Sequence, residues 1–319
     1  MDNNKRANII KVGRELLAEG LVARTWGNIS AREDDDNYLI TPSGLDYITM
    51  TNDDIVLVNI TTGKWTNVNR PSGERAVHKA AYEVFPEVNF VVHTHQTYAT
   101  AIGLAGFDTL DITPEEKERL GGIGLAEYGM PSSDKLTNAV TGALKAGNHV
   151  VLMLHHGVLV CGTDKDDAME RVRLLEKICY RNVCKTAQND KFTIEQTEYD
   201  NIKIVRSDDI RSLADKGRAI ISQLDDISQM VGEKIEVTDI SSINEALEDT
   251  TAVLVKGVGA AIKAEDEDDF EALAVLMQKM AVVKNYTERL SVDITISLDE
   301  SRMMHDNYVN NYSKQKKQK

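Results

Sequence analysis

Apolar residues recur at Ile9, Val12, Leu16 and Leu17, the spacing of one helical face, and Gly20 ends the run. Gly27 and Asn28 both tolerate left-handed backbone, which predicts a tight turn ahead of a strand. Tyr38 to Ile40 reads as the next strand, closed by Thr41-Pro42-Ser43-Gly44. Ile55 to Ile60 and Lys64 to Val68 read as a hairpin around Thr61-Thr62-Gly63. Ala76, Val77, Ala80, Ala81 and Val84 form the buried stripe of a helix that Ser72 opens and Pro86 ends. A strand follows at Val91-Val92-His93-Thr94-His95, then a small-residue helix through Ala99 and Ala101. Residues 106–120 read as a polar, irregular connection. Ser133 caps a helix carrying Leu136, Val140 and Leu144, closed by Gly147. Strands at His149 to Leu154 and Val158 to Val160 break at His156-Gly157, and a long helix runs from about Asp166 to Gln188.

Mixed helices and strands with hairpin-like connections predict a layered α/β domain rather than a strict βαβ repeat. A chain of 319 residues has room for two domains. The composition shift near Asn189 to Asn201 divides it into 1–198 and 199–319. The second part carries a faded copy of the end of the first. At an offset of 102 residues Val151-Leu152 falls on Val253-Leu254, Gly157 on Gly259, and Asp164, Asp166 and Asp167 on Asp266, Asp268 and Asp269. His156 falls on Val258, so residues 199–319 are expected to be a degenerate, non-catalytic repeat that serves assembly or shapes the site.

Composition narrows the partners. The formal net charge of −14 argues against nucleic acid and anionic membranes. No apolar run reaches the roughly 18–20 residues of a membrane span, and the N-terminus leads into an amphipathic segment. Cys161, Cys179 and Cys184 are odd in number and lack metal-type spacing, which fits a cytoplasmic protein with reduced thiols. An acidic protein can still bind a phosphorylated metabolite through clustered backbone N–H groups.

The chemistry centres on His93 and His95. In a strand, positions i and i+2 share a face, so both imidazoles point one way. Alone, the pair fits a hydrogen-bonded strand as well as it fits a metal. His156, placed by a turn glycine, offers a third imidazole, and three imidazoles with an open position are the pattern of a catalytic zinc. His155 competes for that place, but its side chain should point the opposite way, into packing. Glu74, on spacing alone, is a first-turn acid that complements the helix dipole. Asn28, Ser43 and Ser72 each sit at a turn or helix start, and together they would form a neutral anion cradle.

Taken together, Gly27-Asn28-Ile29-Ser30, Thr41-Pro42-Ser43-Gly44, Pro71-Ser72-x-Glu74 with His78, His93-x-His95 and His156-Gly157 resemble the class II aldolase/adducin family over roughly residues 5–190. The resemblance implies a three-layer α/β/α fold around a mainly antiparallel sheet, with a smaller α/β part after it, and a homo-oligomer, usually a tetramer. It implies that His93, His95 and His156 hold Zn2+ or another divalent ion, that Glu74 is the acid/base, and that Asn28, Ser43, Gly44, Ser72 and Gly73 bind the phosphate of a small-molecule substrate. The implied activity is a metal-dependent aldolase acting on a sugar phosphate or related hydroxy-carbonyl compound. Same-family dehydratases, decarboxylases and epimerases, and a non-catalytic adducin-like interaction protein, are the alternatives. Two departures stand out. The family's aldolases carry a second serine where this chain has Gly73, and residues 107–120 hold no tyrosine, the general acid of one aldolase of the family.

Overall fold

The structure, a computed structural model, describes residues 3–184, 192–199 and 201–312. Its contacts group the chain into two compact units, residues 1–182 and 183–319. In the first, strands β1 (Asn28–Arg32), β2 (Asn37–Ile40), β3 (Val56–Asn59), β4 (Phe90–Thr94), β5 (Ile123–Ala126), β6 (Val150–Met153) and β7 (Gly157–Gly162) make one sheet in the order β3-β2-β1-β4-β7-β6-β5. Every neighbouring pair is antiparallel except β5 and β6. The helices are α1 (Asn3–Ala18), α2 (Arg75–Val84), α3 (Thr97–Ala105), α4 (Pro114–Arg119), α5 (Asp134–Lys145) and α6 (Lys165–Val183).

Strand alternation sorts the core into two faces. Val91, Val151, Met153, Leu159 and Cys161 face Val77, Ala80 and Ala81 of α2 and Leu136, Val140 and Leu144 of α5. Each fully buried Val, Leu or Met among them contributes roughly 1.5–3 kcal/mol over its exposed state. On the other face α3 lies over Leu152, 3.6 Å from where a Cβ on Gly103 would stand. Glu176 of α6 accepts from the N–H groups of Tyr98 and Ala99 at 3.0 Å each, capping α3, and Arg173 of α6 pairs with Glu15 of α1 and with Glu19 just after it. The first unit is therefore the expected three-layer α/β/α arrangement.

Three elements differ from the sequence reading. Helix α2 begins at Arg75 with Glu74 as its N-cap residue, so Ser72 is not the cap; its Oγ instead accepts from the Glu74 N–H at 3.2 Å. Residues 64–68 form no strand. Trp65 makes one isolated bridge to Val58, while the Asn67 amide bonds the carbonyls of Asp53 and Ile55. The connection 106–120 contains α4, opened by Pro114 and by a reciprocal cap between Thr113 and Glu116.

The second unit has sheets of its own. It contains β8 (Thr193–Gln196), β9 (Ile202–Arg206), β10 (Ile220–Ile221), β11 (Lys234–Ile235), β12 (Val237–Thr238), β13 (Ala252–Val255) and β14 (Gly259–Lys263). Its helices are α7 (Asp208–Ala214), α8 (Asp225–Met230), α9 (Ile243–Ala246), α10 (Glu267–Arg289) and α11 (Leu298–Asn307). The five-stranded sheet runs β12-β13-β14-β9-β8, parallel at β12–β13 and antiparallel elsewhere. The β5-β6-β7-β4-β1 part of the first sheet has the same order and the same directions. Fine geometry repeats as well. His155 and Gly257, 102 residues apart, both take left-handed backbone, φ 66° and 70°. A Cβ on Gly157 would stand 2.2 Å from the Thr94 carbonyl oxygen, and one on Gly259 2.3 Å from that of Val205. Asp164 and Asp266 each accept an N–H three residues on, from Asp167 and Asp269, to start α6 and α10.

Candidate metal centre and active site

Strand β4 lies in the middle of the first sheet, between β1 and β7, and is buried throughout. That position drives His93 and His95 out of one strand end on the same face, and the β6–β7 turn delivers His156 to meet them. The three rings form a near-equilateral group, with centroids 4.9 Å apart in every pair. The Nε2 of His93 is 3.1 Å from those of His95 and His156. Imidazole nitrogens about 2.0–2.1 Å from a tetrahedral cation stand about 3.3–3.4 Å from one another, so the triad is already near that spacing. His155 faces away, edge-on to Tyr128 at 5.1 Å.

Glu74 closes the group. Its Oε1 is 2.8 Å from His156 Nε2 and its Oε2 3.1 Å from His93 Nε2. Burial opposes ionisation of Glu74, but the His93 and His156 imidazoles outweigh it and hold the carboxyl well below the ordinary range. Glu74 Oε1 is buried and makes no hydrogen bond of good geometry despite its close approach to His156. The Nδ1 of His93 lies 2.9 Å from the Val158 carbonyl oxygen, which only accepts. That bond places the ring hydrogen on Nδ1 and turns a lone pair inward at Nε2. A buried convergence of imidazole lone pairs and a carboxylate is electrostatically unfavourable unless positive charge sits among them. The donor set fits a divalent cation of intermediate softness, zinc included.

Of the residues expected to bind an anion, Ser43 and Ser72 lie on adjoining turns. The turns holding Ser43 and Ser72 are bonded side by side: Ser43 N–H donates to the Arg70 carbonyl at 2.9 Å and Ser72 N–H to that of Thr41 at 3.1 Å. Those two N–H groups are therefore engaged within the scaffold. Gly44 adopts φ +68°, suited to a turn that exposes backbone. A Cβ on Gly73 would stand 2.6 Å from Ser132 Oγ, a hydroxyl that can rotate away. The Asn28 carboxamide is buried and joined to Glu74 at 3.0 Å and to His78 at 2.5 Å. The sequence reading assigned no site role to Ser30, His78 or Tyr82. Glu74, His78 and Tyr82 are four apart, and Asn28 and Ser30 two apart, so each set shares a face, but the sequence does not show that the two faces meet.

The second unit lacks these groups at matching places. Leu159 pairs with His93, and Ala261, 102 residues on, pairs with Ile204. Ile204, Arg206 and Val258 thus stand where the first unit has His93, His95 and His156. Arg206 bonds the Val258 carbonyl at 3.1 Å and pairs with Glu195. The acidic group Asp266, Asp268 and Asp269 is exposed or half-buried at the start of α10, where it serves as a helix cap.

Residues 7–183 match the family model of the Class II Aldolase and Adducin N-terminal domain, and the chain belongs to that family. The 3-oxo-tetronate 4-phosphate decarboxylase of Haemophilus influenzae is 30% identical over 176 residues, 53% of this chain and 82% of the relative. The enzyme of the same name from Escherichia coli strain K12 is 28% identical over 182 residues, 56% of this chain and 85% of the relative. Among solved structures, an L-fuculose 1-phosphate aldolase superposes with a TM-score of 0.53 at 25% identity, covering 59% of this chain and 90% of its own. YgbL of Escherichia coli superposes with a TM-score of 0.51 at 27% identity, covering 56% of this chain and 87% of its own.

Proposed function

We propose that this protein is a metal-dependent carbon–carbon lyase acting on a small phosphorylated oxo or hydroxy-carbonyl compound. The observation that carries the reading is the buried convergence of the His93, His95 and His156 imidazoles with the Glu74 carboxylate. His93, His95 and His156 would hold the cation. A bound divalent ion would supply positive charge for the oxyanion that develops when a bond beside a carbonyl breaks.

The chain's own residues supply the rest. Glu74, kept ionised beside the imidazoles, is placed to take a proton from the substrate or return one to it. The paired turns of Ser43-Gly44 and Ser72-Gly73 would seat the phosphate end and fix the reacting bond relative to Glu74. Burial of the triad excludes water from the developing charge.

The similarity to 3-oxo-tetronate 4-phosphate decarboxylases favours loss of CO2 from a phosphorylated 3-oxo acid. A second reading, retro-aldol cleavage of a sugar phosphate, is favoured by the likeness to an L-fuculose 1-phosphate aldolase. The two reactions share an enolate-forming bond cleavage and differ in the fragment released. A panel of phosphorylated 3-oxo acids and ketose phosphates, offered to metal-loaded protein, separates them by CO2 release or aldehyde formation. Turnover of neither class, with metal bound, would contradict the proposal.

A further inference from the structure

Glu74 is not held by the histidines alone. A hydrogen-bonded path leads from its carboxylate into the core. Asn28 Nδ2 donates to Glu74 Oε2 at 3.0 Å, Asn28 Oδ1 and His78 Nε2 are 2.5 Å apart, His78 Nδ1 and Ser30 Oγ 2.7 Å, and Ser30 Oγ and Tyr82 OH 2.7 Å. The path joins one face of β1, which gives Asn28 and Ser30, to one face of α2 and its cap, which give Glu74, His78 and Tyr82.

Its direction is fixed from one end. A carboxylate only accepts, so Asn28 must turn its amino group to Glu74 and its carbonyl to His78. An amide carbonyl only accepts, so the ring hydrogen of His78 must be on Nε2. The ring is wholly buried, which keeps it neutral, and Nδ1 accepts from the Ser30 hydroxyl. Ser30 Oγ in turn accepts from Tyr82, whose phenol burial keeps protonated. Amide flip, tautomer and both hydroxyl orientations therefore follow from the charge on Glu74.

We infer that His78 is a positioning residue, which acts through Asn28 to orient the Glu74 carboxylate against the three imidazoles. The inference rests on the reaction role proposed for Glu74. It also moves the Asn28 carboxamide out of the phosphate cradle and into the acid/base apparatus. Neither His78 nor Asn28 need touch the substrate.

Four variants of the full-length, metal-loaded protein test this. His78→Leu removes the donor to Asn28, and His78→Gln keeps an amide N–H that can reach it. Asn28→Asp keeps the acceptor for His78 but loses the donor to Glu74. Tyr82→Phe cuts only the far end. Partners one step removed from a metal site typically contribute about 10- to 100-fold. His78→Leu and Asn28→Asp are expected to lose kcat by that factor at unchanged KM, His78→Gln to regain most of it, and Tyr82→Phe to stay near wild type. A rise in KM for the phosphorylated substrate with kcat preserved in Asn28→Asp would return Asn28 to the cradle and overturn the inference. Losses that follow melting temperature across all four variants would reduce the path to core packing and overturn it too. Two readouts need no turnover. Nitrogen NMR of the metal-free protein should find His78 protonated at Nε2 only, and an Nδ1–H ring would contradict the path. In Co2+-substituted protein the visible spectrum should change in His78→Leu and revert in His78→Gln. Should the wild type turn over nothing in the panel, the lyase reading fails while these two spectra still decide the positioning.

Discussion

His93 donates its Nδ1 hydrogen to the carbonyl oxygen of Val158, 2.9 Å away on the neighbouring strand. One backbone group thereby sets the tautomer of the central imidazole and aims its other nitrogen at His95, His156 and Glu74. The same strand, β7, begins at Gly157, whose missing side chain lets the β6–β7 turn close against Thr94. Ligand presentation is thus a property of sheet register.

Glu74→Gln should keep the fold and the bound metal and lose about 10²–10⁴-fold in kcat, the usual contribution of a general acid or base. Steady-state kinetics beside metal analysis of the same preparation checks it. Near-normal turnover would leave Glu74 as no more than the N-cap residue of α2.

Gly157→Ala and Gly259→Ala form a matched pair. Each adds a Cβ about to collide with a backbone oxygen, at 2.2 Å from Thr94 and 2.3 Å from Val205. Overpacking of this kind costs about 1–3 kcal/mol, so both should lower the denaturation midpoint. Only Gly157→Ala should also weaken metal binding, because only Gly157 follows a ligand histidine, His156, in its turn. Equal metal affinity in both variants would separate ligand placement from strand approach.

Stability should fall on mild acidification because of His78. Burial depresses its pKa from 6.5 to about 3, and the nearby Glu74 carboxylate opposes that shift. The unfolded chain binds a proton below pH 6.5 that the folded protein refuses until about pH 3, so stability rises with pH across that window. Between pH 7 and pH 5 the loss is about 2 kcal/mol. Urea midpoints at the two pH values should converge in His78→Gln, and an unchanged slope in that variant would assign the acid sensitivity elsewhere.

In the second unit Lys279 and Asp226 form a buried ion pair at 2.7 Å, joining α10 to α8. Removing one partner strands a charge, so Lys279→Met should cost about 3–5 kcal/mol. Adding Asp226→Leu should restore much of it. A double variant as unstable as the single one would place the loss in packing.

The layered fold was legible because its signals are local and periodic. Helical stripes such as Leu136, Val140 and Leu144, the Ser133 cap and the turn glycines are read without knowing what packs where. The 102-residue echo rests on signals of the same local kind, whereas the like order and direction of the strands in the two sheets is visible only in the register. What failed was competition between near neighbours. Ser72 and Glu74 are both credible caps two residues apart, and the cap Thr113-Pro114 lies inside a stretch whose polar composition reads as an irregular connection. Within the site, the three histidines and Glu74 could be singled out as residue types. The path through Asn28, His78, Ser30 and Tyr82 could not, since it depends on β1 lying beneath α2, a contact between segments some 50 residues apart.

The central claim is that the three imidazoles hold one divalent ion. Metal content of the purified full-length protein, measured by elemental mass spectrometry beside His93→Ala, His95→Ala and His156→Ala, tests it most directly. The account predicts one equivalent per chain in the wild type and close to none in each variant, with no second equivalent from the Ile204, Arg206 and Val258 positions. Full occupancy in His156→Ala, or metal retained when all three histidines are replaced, would contradict it.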